Sequence, residues 1–132
     1  MLSKPVLSAV EVERIGAAAA AEARGNGWAV TIAIVDDGGH LLWLQRLDGA
    51  APISAQIAPE KARTAALGRR ESRVYEEMIN QGRTSFLSAP LQAMLEGGVP
   101  ITADGQVVGA VGVSGVKSTE DAQIARAGIA AL

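Results

Sequence analysis

Two glycines inside a single strand constrain this chain more than any other feature. From Glu96 to Gly115 the sequence runs EGGVPITADGQVVGAVGVSG, two apolar runs joined by Asp104-Gly105. An Asp-Gly pair in that position supplies the positive φ angles of a tight hairpin turn, so the stretch predicts two antiparallel strands. The second carries Val107, Val111 and Val113, yet Gly109 and Gly112 lie inside it and Gly115 closes it. Each strand-interior glycine costs about 0.5–1 kcal/mol against alanine. Something must therefore approach the backbone closely there. Two readings are open: a ligand lies on the bare surface, or an alanine-faced helix, first or last in the chain, packs onto it.

The rest of the composition bears on that choice. Hydrophobic residues make up 48% of the chain and aromatics only 3%, so the core is aliphatic and alanine-rich and its helices pack closely. A length of 132 residues is expected to form one domain spanning the whole chain, 1–132. Lys+Arg 12 against Asp+Glu 14, with no basic block, argues against nucleic acid or an anionic membrane as main partner. The absence of cysteine removes disulfides, thiol catalysis, Fe–S clusters and thiolate zinc sites together. No apolar run approaches the roughly 18 residues of a membrane span, and no apolar region of a signal peptide follows Met1–Pro5. A cytoplasmic location is expected.

Along the chain, Ser8 and Glu11 form a capping box that starts a first helix, with Val12, Ile15, Ala19 and Ala23 as its apolar face. Gly25-Asn26-Gly27 ends it. Trp28 to Asp36 is a β-branched, nearly continuous apolar run, the pattern of a strand covered on both faces. It turns at Asp37–His40 into a partner strand, Leu41–Leu47. After a loop to Ser54 the chain is expected to be helical to about Asn80, broken near Gly68 or Glu71, with Pro59 in a first turn and Val74, Met78 and Ile79, flanked by Tyr75, on the buried side. Gln81–Leu95 is a connector in which Pro90 opens one short helical turn. Ser118 and Asp121 read as a second capping box, starting a closing helix on Ile124, Ala127, Gly128 and Ala131. Hairpins dominate and no βαβ alternation is present, so the fold class is α/β (α+β): an antiparallel sheet of four to five strands with helices packed on it.

Four segments in this order, Ile34–Leu42 (IVDDGGHLL), Lys61–Ala66 (KARTAA), Glu96–Ile101 (EGGVPI) and Asp104–Gly115, resemble the GlcG/HbpS family, which includes the C-terminal domain of PduO-type proteins. The resemblance covers nearly the whole chain and sits closest to the GlcG branch. It implies a profilin-like fold, homo-oligomers from dimer to octamer, and, in several members, binding of haem or a related tetrapyrrole. It also implies an association with glycolate utilisation without a settled biochemical activity. Haem-binding members are expected to carry an axial histidine in or near the first helix, and Ser8–Asn26 holds none. The only histidine is His40, in the first hairpin turn, where a lone imidazole is most often solvated. No residue here takes over the axial role, and no metal ligand is assigned.

The candidate ligand-binding residues are Lys61, Arg46, Thr64, Glu96, Gly97, Gly98, Gly112 and Ser114. Lys61 and Thr64, one turn apart on a helix of small residues, would present an ammonium and a hydroxyl to a carboxylate or propionate, unless Lys61 is a surface lysine whose stem covers apolar area. Arg46, if covered, needs an acceptor: Asp48, Glu96 or a ligand. Gly97-Gly98 beside Glu96 exposes backbone N–H groups to an anion, or forms a plain loop. Ser114 stands in Gly112-Val113-Ser114-Gly115-Val116, which fails the Gly-x-Ser-x-Gly pattern of a nucleophile elbow, and no catalytic residue is assigned. The leading expectation is a non-covalent binder of haem, another tetrapyrrole or an organic acid, accessory to glycolate-type metabolism. The alternatives are a cofactor-independent lyase, isomerase or hydrolase acting on a hydroxy or oxo acid, with Lys61 as base and Ser114 or backbone amides at the oxyanion, and an oligomeric scaffold that binds another enzyme.

Overall fold

The computed structural model describes all 132 residues. Its elements run α1 (Ala9–Gly25), β1 (Thr31–Asp36), β2 (Leu41–Arg46), α2 (Ser54–Gly68), α3 (Ser72–Asn80), β3 (Gly98–Ala103), β4 (Gln106–Ser114) and α4 (Ser118–Ile129), with a short 3-10 turn at Thr84–Ser88. The four strands form one sheet in the order β2-β1-β4-β3, every pair antiparallel. The two hairpins therefore lie side by side, joined through β1 and β4. Asp104 (φ 51°) and Gly105 (φ 73°) both take the left-handed conformation that their hairpin requires.

The two faces of the sheet pack by different rules. On one, Ile32, Ile34, Val111, Val113, Val99 and Ile101 meet α1 and α4 through Val12, Ile15, Ala19, Ile124 and Ala125 in an aliphatic core. On the other, Val35 and Ala110 meet Ala62, Ala65 and Ala66 of α2. Small residues on both sides let α2 settle almost onto the strands. Because β1 is covered by both layers, its first five residues are all buried, as its unbroken apolar run predicts. The helices α1 and α4 also touch each other: a Cβ at Gly128 would come within 2.9 Å of the Ile15 carbonyl oxygen.

Ser8 caps α1 as expected, its N–H donating to the Glu11 carboxylate at 2.6 Å, and Val12, Ile15, Ala19 and Ala23 are all buried. Other expectations are corrected. Helix α2 begins at Ser54, so Pro59 lies inside it rather than in its first turn. In α3 the buried residues are Ser72 and Tyr75; Val74, Met78 and Ile79 are only half-buried because α3 lies outside α2 instead of against the sheet. The short helical turn precedes Pro90 instead of following it. Strand β2 is an edge, so Leu41, Leu42 and Leu44 are exposed. The closing helix is capped at Lys117, whose N–H donates to Glu120, because Asp121 is engaged in the interior.

Candidate functional site

Antiparallel register brings several of the candidate residues to one end of the sheet: Arg46 on β2 lies opposite Thr31 on β1, which lies opposite Ser114 on β4, and Gly98 on β3 lies opposite Gly112. These candidates are therefore neighbours in space. What fills that space differs from expectation.

Lys61 faces neither a ligand nor solvent. It is 4% exposed, and its Nζ donates to the Val113 carbonyl oxygen at 3.0 Å and to Asp121 Oδ2 at 3.1 Å. Asp121 is 2% exposed, and its Oδ1 accepts the Val116 N–H at 3.2 Å. This pair ties α2 to α4 across the end of β4. Burial pushes the Asp121 carboxyl above its usual range, and the adjacent ammonium and the two hydrogen bonds pull the other way without cancelling it. The glycines around it are there because backbone and Lys61 occupy the space. A Cβ at Gly97 (φ 132°) would sit 2.7 Å from Val113 O and 2.8 Å from Lys61 Nζ, and one at Gly98 would sit 2.2 Å from Lys61 O.

Gly112 settles the choice left open by the sequence. A Cβ there would lie 2.1 Å from Ala58 O and 2.4 Å from Ala62 N, so the close neighbour is the backbone of α2. It is neither a ligand nor the first or last helix. Gly109 is closed by the Val35 carbonyl oxygen, 2.4 Å from the same construction. The floor proposed for a guest molecule is thus occupied by the chain itself. Thr64 is buried and donates to Ala93 O at 2.9 Å, Glu96 accepts from Ser118 Oγ at 3.3 Å, and Ser114 is 7% exposed. Lys61, Thr64 and Ser114 thus belong to the interior, and Glu96 lies half-buried at its edge.

Of the eight candidates, Arg46 borders an open cleft. That cleft, of about 370 Å³, lies between the end of α1, the entry to β1 and the end of β2, and includes Arg24, Trp28, Gln45, Arg46 and Asp48 in its lining. Arg46 donates through Nε to Ala50 O at 3.1 Å, not to Asp48 or Glu96. The sequence reading missed Arg24 and Trp28; the Arg24-x-x-x-Trp28 spacing at the helix exit was the available signal. A second depression, about 190 Å³, runs between the start of α1 and β2 and is lined by Leu7, Val12, Leu42 and Trp43 with Ser8, Ala9 and Glu13. Trp43 reaches under α1 because Gly16 makes room: a Cβ there would lie 2.8 Å from the indole. His40 is mostly exposed in the β1–β2 turn, with Nδ1 3.1 Å from Asp36 Oδ1.

Fold and geometry define a single-sheet α/β protein with two openings along the seam between its first helix and its edge strand and another, about 280 Å³, between α3 and the segment that leads into β3. A family model described as "Haem degrading protein HbpS-like" matches residues 7–130, and the chain belongs to this HbpS-like family. It is 60% identical to Protein GlcG of Escherichia coli K12 over 114 residues, covering 86% of this chain and 85% of that protein. Among solved structures, a double mutant of HbpS from Streptomyces reticuli superposes with a TM-score of 0.90 at 33% identity, covering 100% of this chain and 90% of the other. A PduOC:Heme complex superposes with a TM-score of 0.87 at 27% identity, covering 97% and 96%. No helix is long and apolar enough to cross a membrane.

Proposed function

We propose that this chain is a non-covalent binder of a planar, largely apolar organic molecule of the tetrapyrrole class, acting as an accessory protein, in keeping with the glycolate association of its branch, instead of turning over a substrate. The observation that carries this reading is the apolar groove between α1 and β2, in a family with a haem complex among its members. Leu7, Val12, Leu42 and the Trp43 indole offer a flat apolar wall, the kind of lining ligand sites favour.

Haem is the group the family implies, and the residues present accept its apolar body without supplying an iron ligand from the first helix. Ala9–Gly25 contains no histidine, cysteine, methionine or tyrosine, the side chains that usually hold haem iron. His40 lies in the β1–β2 turn with its ring directed at Asp36. Affinity in this reading comes from the macrocycle. Ligand sites usually run from about 300 to 1,000 Å³, and at about 190 Å³ this groove covers one side of such a ligand. The exposed Leu41, Leu42 and Leu44 on the edge strand support a homo-oligomer in which a second copy covers the rest.

The test is a parallel titration of haemin and metal-free protoporphyrin, followed through the Soret band and tryptophan quenching. Both are expected to saturate with affinities within about tenfold of each other, and Leu42→Glu is expected to weaken both. Absence of saturable change with either ligand at micromolar protein would overturn the reading. Binding of haemin alone would overturn the macrocycle-driven part of it.

A further inference from the structure

The cleft at the exit of α1 is separate from that groove, and its polar side chains are unusually free. Six ion pairs occur in the chain, and none involves Arg24 or Arg46. Arg46 spends only its Nε, on Ala50 O, and the side chains of Arg24, Gln45 and Asp48 make no hydrogen bond within the chain. Trp28 is half-buried, and the two arginines that do stack on rings are Arg70 on Tyr75 and Arg83 on Phe86. Neither cation of the cleft therefore covers the indole.

Two guanidinium groups face a single carboxylate in this lining, so the cleft favours an anion. Guanidinium is the side chain best matched to a planar carboxylate. Trp28, Ala29 and Leu47 form an apolar wall beside the charges, which a bare inorganic ion would leave unused. A volume of about 370 Å³ falls within the range of small-molecule sites and exceeds what a one- or two-carbon acid would fill. We infer that the Arg24–Arg46 cleft is a binding site for a small aromatic or unsaturated carboxylate, its ring against Trp28 and its carboxylate between the arginines. Gln45 adds an amide that can complete the hydrogen bonding of the carboxylate or of a ring substituent.

Benzoate is the probe, benzamide its neutral counterpart and inorganic phosphate the competing anion, each titrated into the protein by ¹H–¹⁵N NMR to about 10 mM, the range of a weak site. Benzoate is expected to shift the Trp28 indole N–H saturably while the Trp43 indole stays put. Affinity should fall about tenfold in Arg24→Gln and in Arg46→Gln, and partly recover in Arg46→Lys, the size expected for one lost charge-assisted hydrogen bond. Benzamide should bind at least as weakly as benzoate does to the single variants. Unchanged benzoate affinity in the double Arg24→Gln/Arg46→Gln variant, with a native-like spectrum, would overturn the site. So would equal binding of benzoate and benzamide, or phosphate competing as well as benzoate. Because Leu42→Glu lies outside this cleft, it should leave benzoate binding unchanged, which keeps this result independent of the porphyrin titrations.

Discussion

Lys61 and Arg46 serve one end of the same sheet, yet they meet opposite fates. Lys61 sits where α2 lies against β4, with Asp121 and a carbonyl oxygen within hydrogen-bonding distance and glycines leaving room for it. Arg46 sits on the outermost strand, holds one carbonyl through Nε, and has no carboxylate partner. What separates them is depth. A cation in a low-dielectric interior persists only with partners at hand, whereas one at an edge can wait for a partner from outside. Polar residues near a glycine-rich strand thus divide into those that hold the fold and those free to bind, and packing decides which.

The strongest way to break this contrast is to remove one partner of the buried pair. Lys61→Met should cost about 3–5 kcal/mol in urea denaturation, because Asp121 is left buried and uncompensated, and adding Asp121→Leu should restore more than half of that. A loss under about 1 kcal/mol would mean that Lys61 is far less committed to the interior than its hydrogen bonds require. Next in size is Gly112→Ala, which drives a methyl into the α2 backbone and should cost about 3 kcal/mol. If the variant were as stable as its parent, α2 would have room to spare and the guest-molecule reading of this strand would return.

A smaller effect comes from pH. The Asp121 carboxyl is raised above its ordinary 3.8, so its titration contributes stability that is complete below that value and is lost as pH rises through the raised one. Stability measured against Asp121→Asn should accordingly decline with rising pH over that window, and ¹³C NMR of the carboxyl should place its titration on the high side. At the open end, Arg46→Met should cost only about 0.5–1.5 kcal/mol, the worth of its single hydrogen bond. Smallest of all, Gly25→Ala, where nothing lies within 4 Å of the added methyl, should be neutral or stabilise by up to about 1 kcal/mol.

Much of the fold was legible because local rules and burial agreed. The Ser8–Glu11 cap, the doubly covered β1 and the Asp104-Gly105 turn each follow from a few adjacent residues. The candidate site was legible as a neighbourhood but not as a function. Lys61, Gly97, Gly98 and Gly112 do converge, yet whether a glycine admits a ligand or a helix depends on what folds onto it from fifty residues away. Asp121 shows the limit most clearly: its spacing from Ser118 reads as a cap, and only the docking of α4 reveals it as the partner of Lys61. Arg24 and Trp28 went unnoticed because each is ordinary alone, and only the meeting of a helix exit with an edge strand joins them to Arg46.

The seam where Gly128 lets α4 close on α1 has a consequence for biosynthesis. Helix α1 must stay uncovered on that side until α4 has emerged from the ribosome, and Lys61 must await its counter-charge from the same later segment. Docking of α4 then completes both contacts together, and nascent chains stalled before Ser118 would be substrates for chaperones or proteases instead of partly finished proteins.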